Sequence, residues 1–338
     1  MGGKLGSTTV STRAQVSAVI VNFNGGADLI RCVASLHEQA DLKEILVVDN
    51  GSTDGSPEEL ERLHPGTAVL RSPVNDGYTG GANRGAAATT GDLLLFMNPD
   101  VVVDRGSIAK IARRLRDGAG VVGPRLLVEA DDAWEVGATL DSVGFPVILR
   151  EPGRPLYVSG CALATRRDLF QRLAGFDERY FMIAEDADYS WRALLSGADV
   201  AVAEGATALH RGGGSTPGGY MRAGRHEVTR FRVARRERNM LATRIKCLPA
   251  GHLLPAVVAQ VGWILAEATG SILMGRPGLA WQLMAALGWN IVQLPETLRR
   301  RRLTPVAGDR HRAIQGRLHR GLHGLQLLRA SGLPRYVG

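Results

Sequence analysis

The chain has 338 residues, of which 45% are hydrophobic and 22% charged, enough apolar material for one large domain with an appendage or for two modest domains. A formal net charge of +8 suits phosphate-bearing ligands or anionic lipid, while the lack of zinc-finger spacing and of an aromatic-rich RNA-binding motif argues against nucleic acid. Cys32, Cys161 and Cys247 are isolated and odd in number, so they read as buried small residues in a reducing compartment and not as a disulfide framework.

Residues 1–15 are polar, without the apolar run of a signal peptide, and are expected to be flexible. Val16 to Val21 is a continuous β-branched run, as in a strand buried on both faces, and Asn24-Gly25-Gly26 breaks it. Leu29, Cys32, Val33 and Leu36 follow at helical spacing. Ile45 to Val48 is a second buried strand ending at Asp49, and Pro57 suits the first turn of the next helix. A short strand at Ala68 to Leu70, a small-residue helix at Gly80 to Ala88 and a strand at Leu93 to Met97 come next. Asn98-Pro99-Asp100 ends that strand, before a helix at Ile108 to Leu115 and a strand at Val121-Val122. The alternation predicts an α/β domain with a mostly parallel sheet flanked by helices.

Residues 123–155 are irregular and suggest loops and short strands on the acceptor side. Val158 to Ala164 predicts a strand, Glu185 to Leu195 a helix, Val200 to Val202 a strand, and Arg211 to Gly219 a mobile glycine-rich loop. Basic residues gather from Arg222 to Arg238 and again at Arg299 to Arg302, as on a solvated surface. Ala256 to Met274 and Leu279 to Leu294 are apolar and are split by Gly275-Arg276-Pro277-Gly278. The expected organisation is a flexible 1–15, a catalytic domain at 16–235 and a helical, basic region at 236–338.

Ligands of such sheets lie beyond the carboxyl ends of the strands. Asp49 and Asp100 both sit there, although an acid at a strand end also simply meets solvent. A divalent cation that shares a diphosphate wants hard donors and few protein ligands, so Asp100 with His210 would form an open site suited to Mn2+ or Mg2+. Glu185, Asp186 and Asp188 open a helix, where acids complement the dipole or, aimed into a cleft, act as a general base. Arg192 stands one turn from Asp188 and is placed to hold it.

Val-Ile-Val-Asn-Phe-Asn-Gly (19–25), Val-Val-Asp-Asn-Gly-Ser-Thr-Asp-Gly-Ser (47–56), Asn-Asp-Gly-Tyr-Thr-Gly-Gly-Ala-Asn-Arg-Gly (75–85) and Asn-Pro-Asp (98–100) occur in order. Gly-Phe-Asp-Glu-Arg-Tyr-Phe (175–181), Glu-Asp-Ala-Asp-Tyr-Ser-Trp-Arg (185–192) and His-Arg-Gly-Gly-Gly-Ser (210–215) complete the series. Over about residues 16–240 the chain resembles a family 2 glycosyltransferase of the GT-A fold, in its rhamnosyltransferase-like branch. The resemblance implies that Asp49 reads a pyrimidine base, that Asn22 and Phe23 wall the nucleotide pocket, and that Asn83 and Arg84 lie near the diphosphate or sugar. It makes Asp100 and His210 the metal-binding pair, Asp186 the base, and Asn98 the departure from the acid that begins the family's Asp-x-Asp motif. Phe176 and Asp177 match a structural turn without chemistry.

The implied reaction is inverting transfer from a nucleotide diphosphate sugar, dTDP-L-rhamnose first and a UDP-hexose as runner-up, to a glycan or polyprenyl-linked glycan hydroxyl. The C-terminal helices are expected to dock on the anionic inner face of the cytoplasmic membrane, or else to pack on the catalytic domain or a second subunit. Three other readings fare worse. Gly80 to Gly85 lacks the spacing and position of a dinucleotide-binding loop, Asn22 to Gly26 lacks the basic glycine loop of a nucleotidyltransferase, and a non-catalytic membrane module leaves the ordered motifs unexplained.

Overall fold

A computed structural model of the chain describes residues 15–130, 132–212, 220–222, 225–331 and 335–336. Its first half alternates strand and helix: β1 (Val16–Asn22), α1 (Gly26–His37), β2 (Leu42–Asp49), α2 (Ser56–Leu63), β3 (Ala68–Arg71), α3 (Gly77–Ala88) and β4 (Leu93–Met97). Every residue of β1 and of β4 is buried, as their continuous apolar runs require of strands covered on both faces. On α1 the buried residues Leu29, Cys32, Val33 and Leu36 form one stripe at the three- and four-residue spacing of an amphipathic helix. Helix α3 is glycine-rich for a packing reason. A Cβ at Gly85 would lie 2.2 Å from Val19 Cγ1, so the helix reaches the sheet only without one.

The chain continues through β5 (Val101–Val103), α4 (Ser107–Arg116), β6 (Ala119–Val128), β7 (Ala133–Glu135), β8 (Ala138–Leu140), β9 (Pro146–Ile148), β10 (Ala162–Arg166), α5 (Arg167–Arg172), α6 (Glu185–Leu195) and β11 (Asp199–His210). The main sheet has nine strands in the order β3-β2-β1-β4-β10-β6-β11-β5, with β7 beside β6. It is mixed. The β3-β2-β1-β4 half is parallel throughout, whereas β10 runs antiparallel to β4 and β6, and β5 antiparallel to β11. The strand expected at Val158 to Ala164 starts only at Ala162, because the Gly160 N–H is given to the Asp186 carboxylate and not to a ladder.

The last third of the chain is helical: α7 (Arg230–Cys247), α8 (Ala250–Leu273), α9 (Pro277–Val292), α10 (Leu294–Leu303), α11 (Arg310–Gln315) and α12 (His323–Ser331). Helix α7 spans the 235/236 boundary drawn from the sequence. The basic surface read from its arginines holds only at its start, where Arg230 is exposed and Arg232, Arg235 and Arg236 are half-buried, since every residue from Glu237 to Cys247 is buried. Helices α8 and α9 form a hairpin packed on α7 through Ile264, Ala268, Leu279 and Leu283. The opposite side of the hairpin leaves Leu254, Leu273, Trp281, Ile291 and Val292 exposed. The three cysteines are buried and free. Most of the Arg211–Gly219 loop lies outside the described residues.

Candidate active site

A cavity of about 1030 Å³ opens beyond the carboxyl ends of β1 and β4, lined among others by Phe23, Asn50, Asn98, Asp100, Asp186 and His210. One wall is built by lacing two strand-to-helix loops together. Asn22 and Asp49 are register partners at the ends of adjacent parallel strands. The Asn22 Nδ2 donates to Asp49 Oδ1, Ser52 Oγ and Ser56 Oγ, each at 3.1 Å. The Asn24 amide donates to Ser52 Oγ at 2.9 Å, and Thr53 N returns a bond to Asn24 Oδ1 at 2.8 Å. Both Asn22 and Asp49 are buried behind this wall, so it is Phe23 and Asn50 that present a surface to the cavity.

Asn83 and Arg84 do not line the cavity. Asn83 fastens α3 to the turn before α6: its Nδ2 donates to Phe176 O at 3.0 Å and Glu178 Oε1 at 2.9 Å, and its Oδ1 accepts from Phe176 N at 3.0 Å. Arg84 pairs with Asp76 and donates to Asn50 Oδ1 at 2.7 Å. It therefore reaches the cavity only through Asn50.

Asp100 and His210 are 110 positions apart, yet the antiparallel β5–β11 ladder pairs His210 with Val101. That register brings Asp100 Oδ2 within 3.4 Å of His210 Nε2, both side chains being nearly buried. The Arg211 amide donates to Asp100 O at 3.1 Å and pins the two loops. A carboxylate and an imidazole this close on a cavity wall fit one divalent cation with most of its coordination left to a diphosphate. Among the described residues no group of three or more His, Cys, Asp or Glu is arranged to hold a metal alone.

Helix α6 supplies the acids. Asp186 faces the cavity with an edge still open, its Oδ2 accepting from Gly160 N at 2.9 Å and its Oδ1 from Ala187 N at 2.8 Å. Burial pushes its carboxyl above the ordinary range, against those two backbone donors. Burial, and then the charge of Asp186, pushes Glu185 up to about 8. Asp188 turns the other way, into the core. Arg192 Nε donates to its Oδ2 at 2.8 Å, the pair expected one helical turn apart, and Lys246 Nζ lies 2.6 Å from its Oδ1. Burial opposes this charge, but Lys246 and Arg192 hold the carboxyl below the usual range. Arg192 also donates to Leu173 O at 2.7 Å and Gly175 O at 2.8 Å, so Asp188 and Arg192 anchor the helix and stay off the cavity.

Several contributors escaped the sequence reading. Tyr78 lines the cavity and donates its hydroxyl to Gly160 O at 2.6 Å, fixing the loop that binds Asp186. Tyr157 and Arg232 also line it. Tyr78 sits inside a motif quoted above, so its aromatic ring among glycines was the available signal. Arg232 lay hidden within a basic run.

With this geometry in hand, the likenesses to known proteins take on meaning. Residues 17–173 match the family described as Glycosyl transferase family 2. The chain is 29% identical over 234 residues to the N-acetylglucosaminyl-diphospho-decaprenol L-rhamnosyltransferase of Mycobacterium tuberculosis, spanning 59% of this chain and 76% of that protein. It is also 29% identical over 192 residues to the pre-mycofactocin glycosyltransferase of the same organism, spanning 54% of this chain and 40% of that one. Among solved structures, S. aureus TarS 1-349 superposes with a TM-score of 0.54 at 16% identity, covering 89% of this chain and 90% of that one. The mannosyltransferase PcManGT of Pyrobaculum calidifontis, in complex with GDP-Man and Mn2+, gives a TM-score of 0.52 at 17% identity, over 94% and 81% of the two chains. At such identities the structures speak for the fold, which is that of GT-A enzymes. Residues 17–173 are thus similar to family 2 glycosyltransferases, and the relatives of the chain include a rhamnosyltransferase and an O-antigen biosynthesis protein.

Proposed function

We propose that this glycosyltransferase is an inverting, metal-assisted rhamnosyltransferase that acts on a polyprenyl-linked glycan at a membrane surface. One observation carries the reading: Asp186, a carboxylate that pairs with no cation among the described residues, shares a cavity with the Asp100–His210 pair. Asp186 accepts the proton as an acceptor hydroxyl attacks the anomeric carbon. Its raised affinity for protons makes it a stronger base than a surface aspartate. A single carboxylate and a single displacement invert the anomeric centre, and no second carboxylate is needed as a nucleophile. A cation bound by Asp100 and His210 would neutralise charge on the departing nucleoside diphosphate. Phe23 and Asn50 flank the base, with Asn22 and Asp49 fixing the wall behind them, and Asn98 stands where a ribose contact is expected.

The donor assignment, dTDP-L-rhamnose, rests on the rhamnosyltransferase-like relatives. The acceptor assignment rests on the mycobacterial relative, whose name specifies a polyprenyl diphosphate substrate. It gains support from the exposed apolar side of the α8–α9 hairpin and from Arg230 and Arg232 on the cavity wall nearest to it. Of the described helices only Ala250–Leu273 is long and apolar enough to cross a bilayer. Its buried Gln260 accepts from Arg244 Nη1 at 3.1 Å within the protein, and α9 has 16 residues, short of the roughly 20 needed to span. The hairpin thus suits the cytoplasmic interface, while α7, which crosses the 235/236 boundary, joins it to the cavity through Arg236 and Met240.

The test is calorimetry with a panel of nucleotide sugars, followed by turnover with a polyprenyl-diphosphate glycan before and after chelation. Selective binding of dTDP-L-rhamnose, inverted product and turnover restored by Mn2+ or Mg2+ are expected. Binding of a UDP-hexose alone overturns the donor, and full turnover without divalent ion overturns the metal.

A further inference from the structure

The backbone leading into α6 adopts a conformation that side chains disfavour. Phe181, Ile183 and Ala184 have φ of 67°, 72° and 67°, left-handed values uncommon outside glycine and least tolerated by a β-branched residue such as Ile183. Such a segment persists only where its surroundings over-determine it, and strain of this kind clusters at functional sites. Here the next two residues are Glu185 and Asp186.

Thr79 of α3 holds one carbonyl of the segment, its N–H donating to Phe181 O at 3.1 Å, and a side chain of α7 holds the others. Asn239 is completely buried. Its Nδ2 donates to three carbonyls of the bend, Tyr180 O at 3.2 Å, Met182 O at 2.9 Å and Ile183 O at 2.7 Å. Two amide hydrogens shared among three acceptors allow little rotation of the group. The neighbouring Arg238 reinforces it. Its Nη2 donates to Arg179 O at 3.0 Å and Tyr180 O at 2.8 Å, and its Nε donates to Asn239 Oδ1 at 2.9 Å, which sets the amide orientation. Arg238 in turn is held from α9, where Trp289 lies 4.3 Å beneath the guanidinium and Asn290 Nδ2 donates to Arg238 O at 3.0 Å. Asn239 itself is not among the residues lining the cavity, so it acts on the reaction only through the bend.

We infer that Asn239 is a positioning residue for the transfer: by holding the carbonyls of Tyr180, Met182 and Ile183 it fixes the bend that contains the left-handed Phe181, Ile183 and Ala184, so that α6 begins with Asp186 aimed at the acceptor hydroxyl. The inference rests on the reading of Asp186 as the base. Its physical content is geometric. Without the three bonds the bend relaxes toward ordinary backbone, the first turn of α6 shifts, and the carboxylate leaves its attack position. A displacement of about 1 Å at a reacting group is enough to lose on the order of a hundredfold in rate.

The experiment compares Asn239→Leu, nearly isosteric but without donors, with Asn239→Ser, which retains one hydroxyl donor. Ser107→Ala serves as the control. Ser107 is equally buried, bonds Thr207 O and Thr207 N at 2.9 Å each, and is remote from the bend. At a temperature where all three are folded, we expect kcat of Asn239→Leu to fall by on the order of a hundredfold, that of Asn239→Ser by less, and that of Ser107→Ala not at all. Donor affinity by calorimetry stays at the wild-type value throughout. The acid limb of the kcat profile moves to lower pH in the Asn239 variants, because a loosened bend hydrates a carboxyl that burial had raised. The groups facing that carboxyl are Glu185 on its own helix, Tyr78, Tyr157 and, beside Glu185, Arg232. None of them is altered. If Asn239→Leu does not fold, Asn239→Ser decides alone. Variants that melt earlier but keep wild-type kcat and pH profile, as the control does, overturn the clamp. An inert Asp186→Asn beside such variants places the failure in the clamp, while an active Asp186→Asn overturns the base and the clamp with it.

Discussion

Two pairs of acids within a dozen residues are treated in opposite ways. Asp177 and Asp188 are buried and over-supplied with cations. Asp177 lies 2.7 Å from Arg179, 2.8 Å from Lys246 and 3.6 Å from Arg300, while Lys246 and Arg192 share Asp188. Glu185 and Asp186 are enclosed as well but receive backbone N–H groups, and Arg232 only at a distance. Burial raises all four carboxyls, and the partner decides the outcome: the first pair is held below its ordinary range and the second above it. The fold can anchor α6 through one face because it completes the charge there. It leaves the charge on the other incomplete, which suits the base role proposed for Asp186.

The comparison breaks most visibly at Asp186. Asp186→Asn is expected to lose on the order of a hundredfold to ten-thousandfold in turnover while its donor affinity and melting temperature stay at or above wild type, since an uncompensated charge is removed. Wild-type turnover, with Glu185→Gln inert instead, would move the base one residue. On the anchoring face the effect reverses. Asp188→Asn leaves the buried Arg192 without its carboxylate and Lys246 with Asp177 alone, and should lower unfolding free energy by about 3–5 kcal/mol, read by urea denaturation at neutral pH. That stabilisation exists only where Asp188 is ionised, so wild type and variant should converge as pH falls below the ordinary carboxylate value of 3.8. A variant as stable as wild type at pH 7 would mean that the network is idle.

Glu185 gives a smaller effect of the opposite sign. Folding raises its carboxyl from 4.5 to about 8, so the unfolded chain releases that proton first. The penalty to stability therefore grows as pH rises through this interval and is complete above it. Glu185→Gln should melt with wild type near pH 4 and above it at pH 8 to 9, a gain of roughly one to a few kcal/mol. Curves that stay parallel across the range would show that Glu185 is solvated.

How much of this was written in the sequence depends on the range of the interaction. The strands β1, β2 and β4 are long apolar runs punctuated by asparagine and glycine, and their ends mark the cavity directly. Asp188 with Arg192 was legible because one helical turn sets the distance. Asp100 with His210 was legible through its motif pair, though only the β5–β11 register explains the contact. Asn83 and Arg84 lie off the cavity wall, because a motif records that a residue matters and not whether it touches ligand or, as here, the turn before α6 and the Asn50 side chain. Helix α7 was the least legible element. Its arginines up to Arg238 read as a solvated surface and Asn239, Arg244 and Lys246 drew no reading, yet from Arg238 onward these polar groups are buried because carbonyls and acids from distant segments complete them. Lys246 finds Asp177 and Asp188, Arg244 donates to Ser142 O at 2.8 Å, and Arg238 meets the bend before α6. Periodicity cannot encode such pairings.

The smallest expected effect concerns the basic cluster Arg299 to Arg302, which the sequence offers as four equal contacts for anionic headgroups. The structure divides it. Arg301 donates to Ile245 O at 2.7 Å and Lys246 O at 3.3 Å at the end of α7, and Arg300 lies 2.8 Å from Glu296 and reaches Asp177. These two belong with the anchoring face of α6, whose cations they supplement. Arg299 is 60% exposed, though paired with Glu296, and Arg302 is exposed. Both lie on α10, directly after the bare Ile291 and Val292 of the α8–α9 hairpin. Each charge delivered to an anionic surface strengthens association by roughly fivefold, so Arg299→Ser with Arg302→Ser should weaken flotation on anionic vesicles by about that factor per residue, less in high salt, with the melting temperature unchanged. Arg301→Ser should do the reverse, lowering the melting temperature while the folded fraction floats like wild type. If the full-length protein stays with the soluble fraction at low salt and elutes as a dimer, the bare side of the hairpin meets a second copy of this chain instead of lipid.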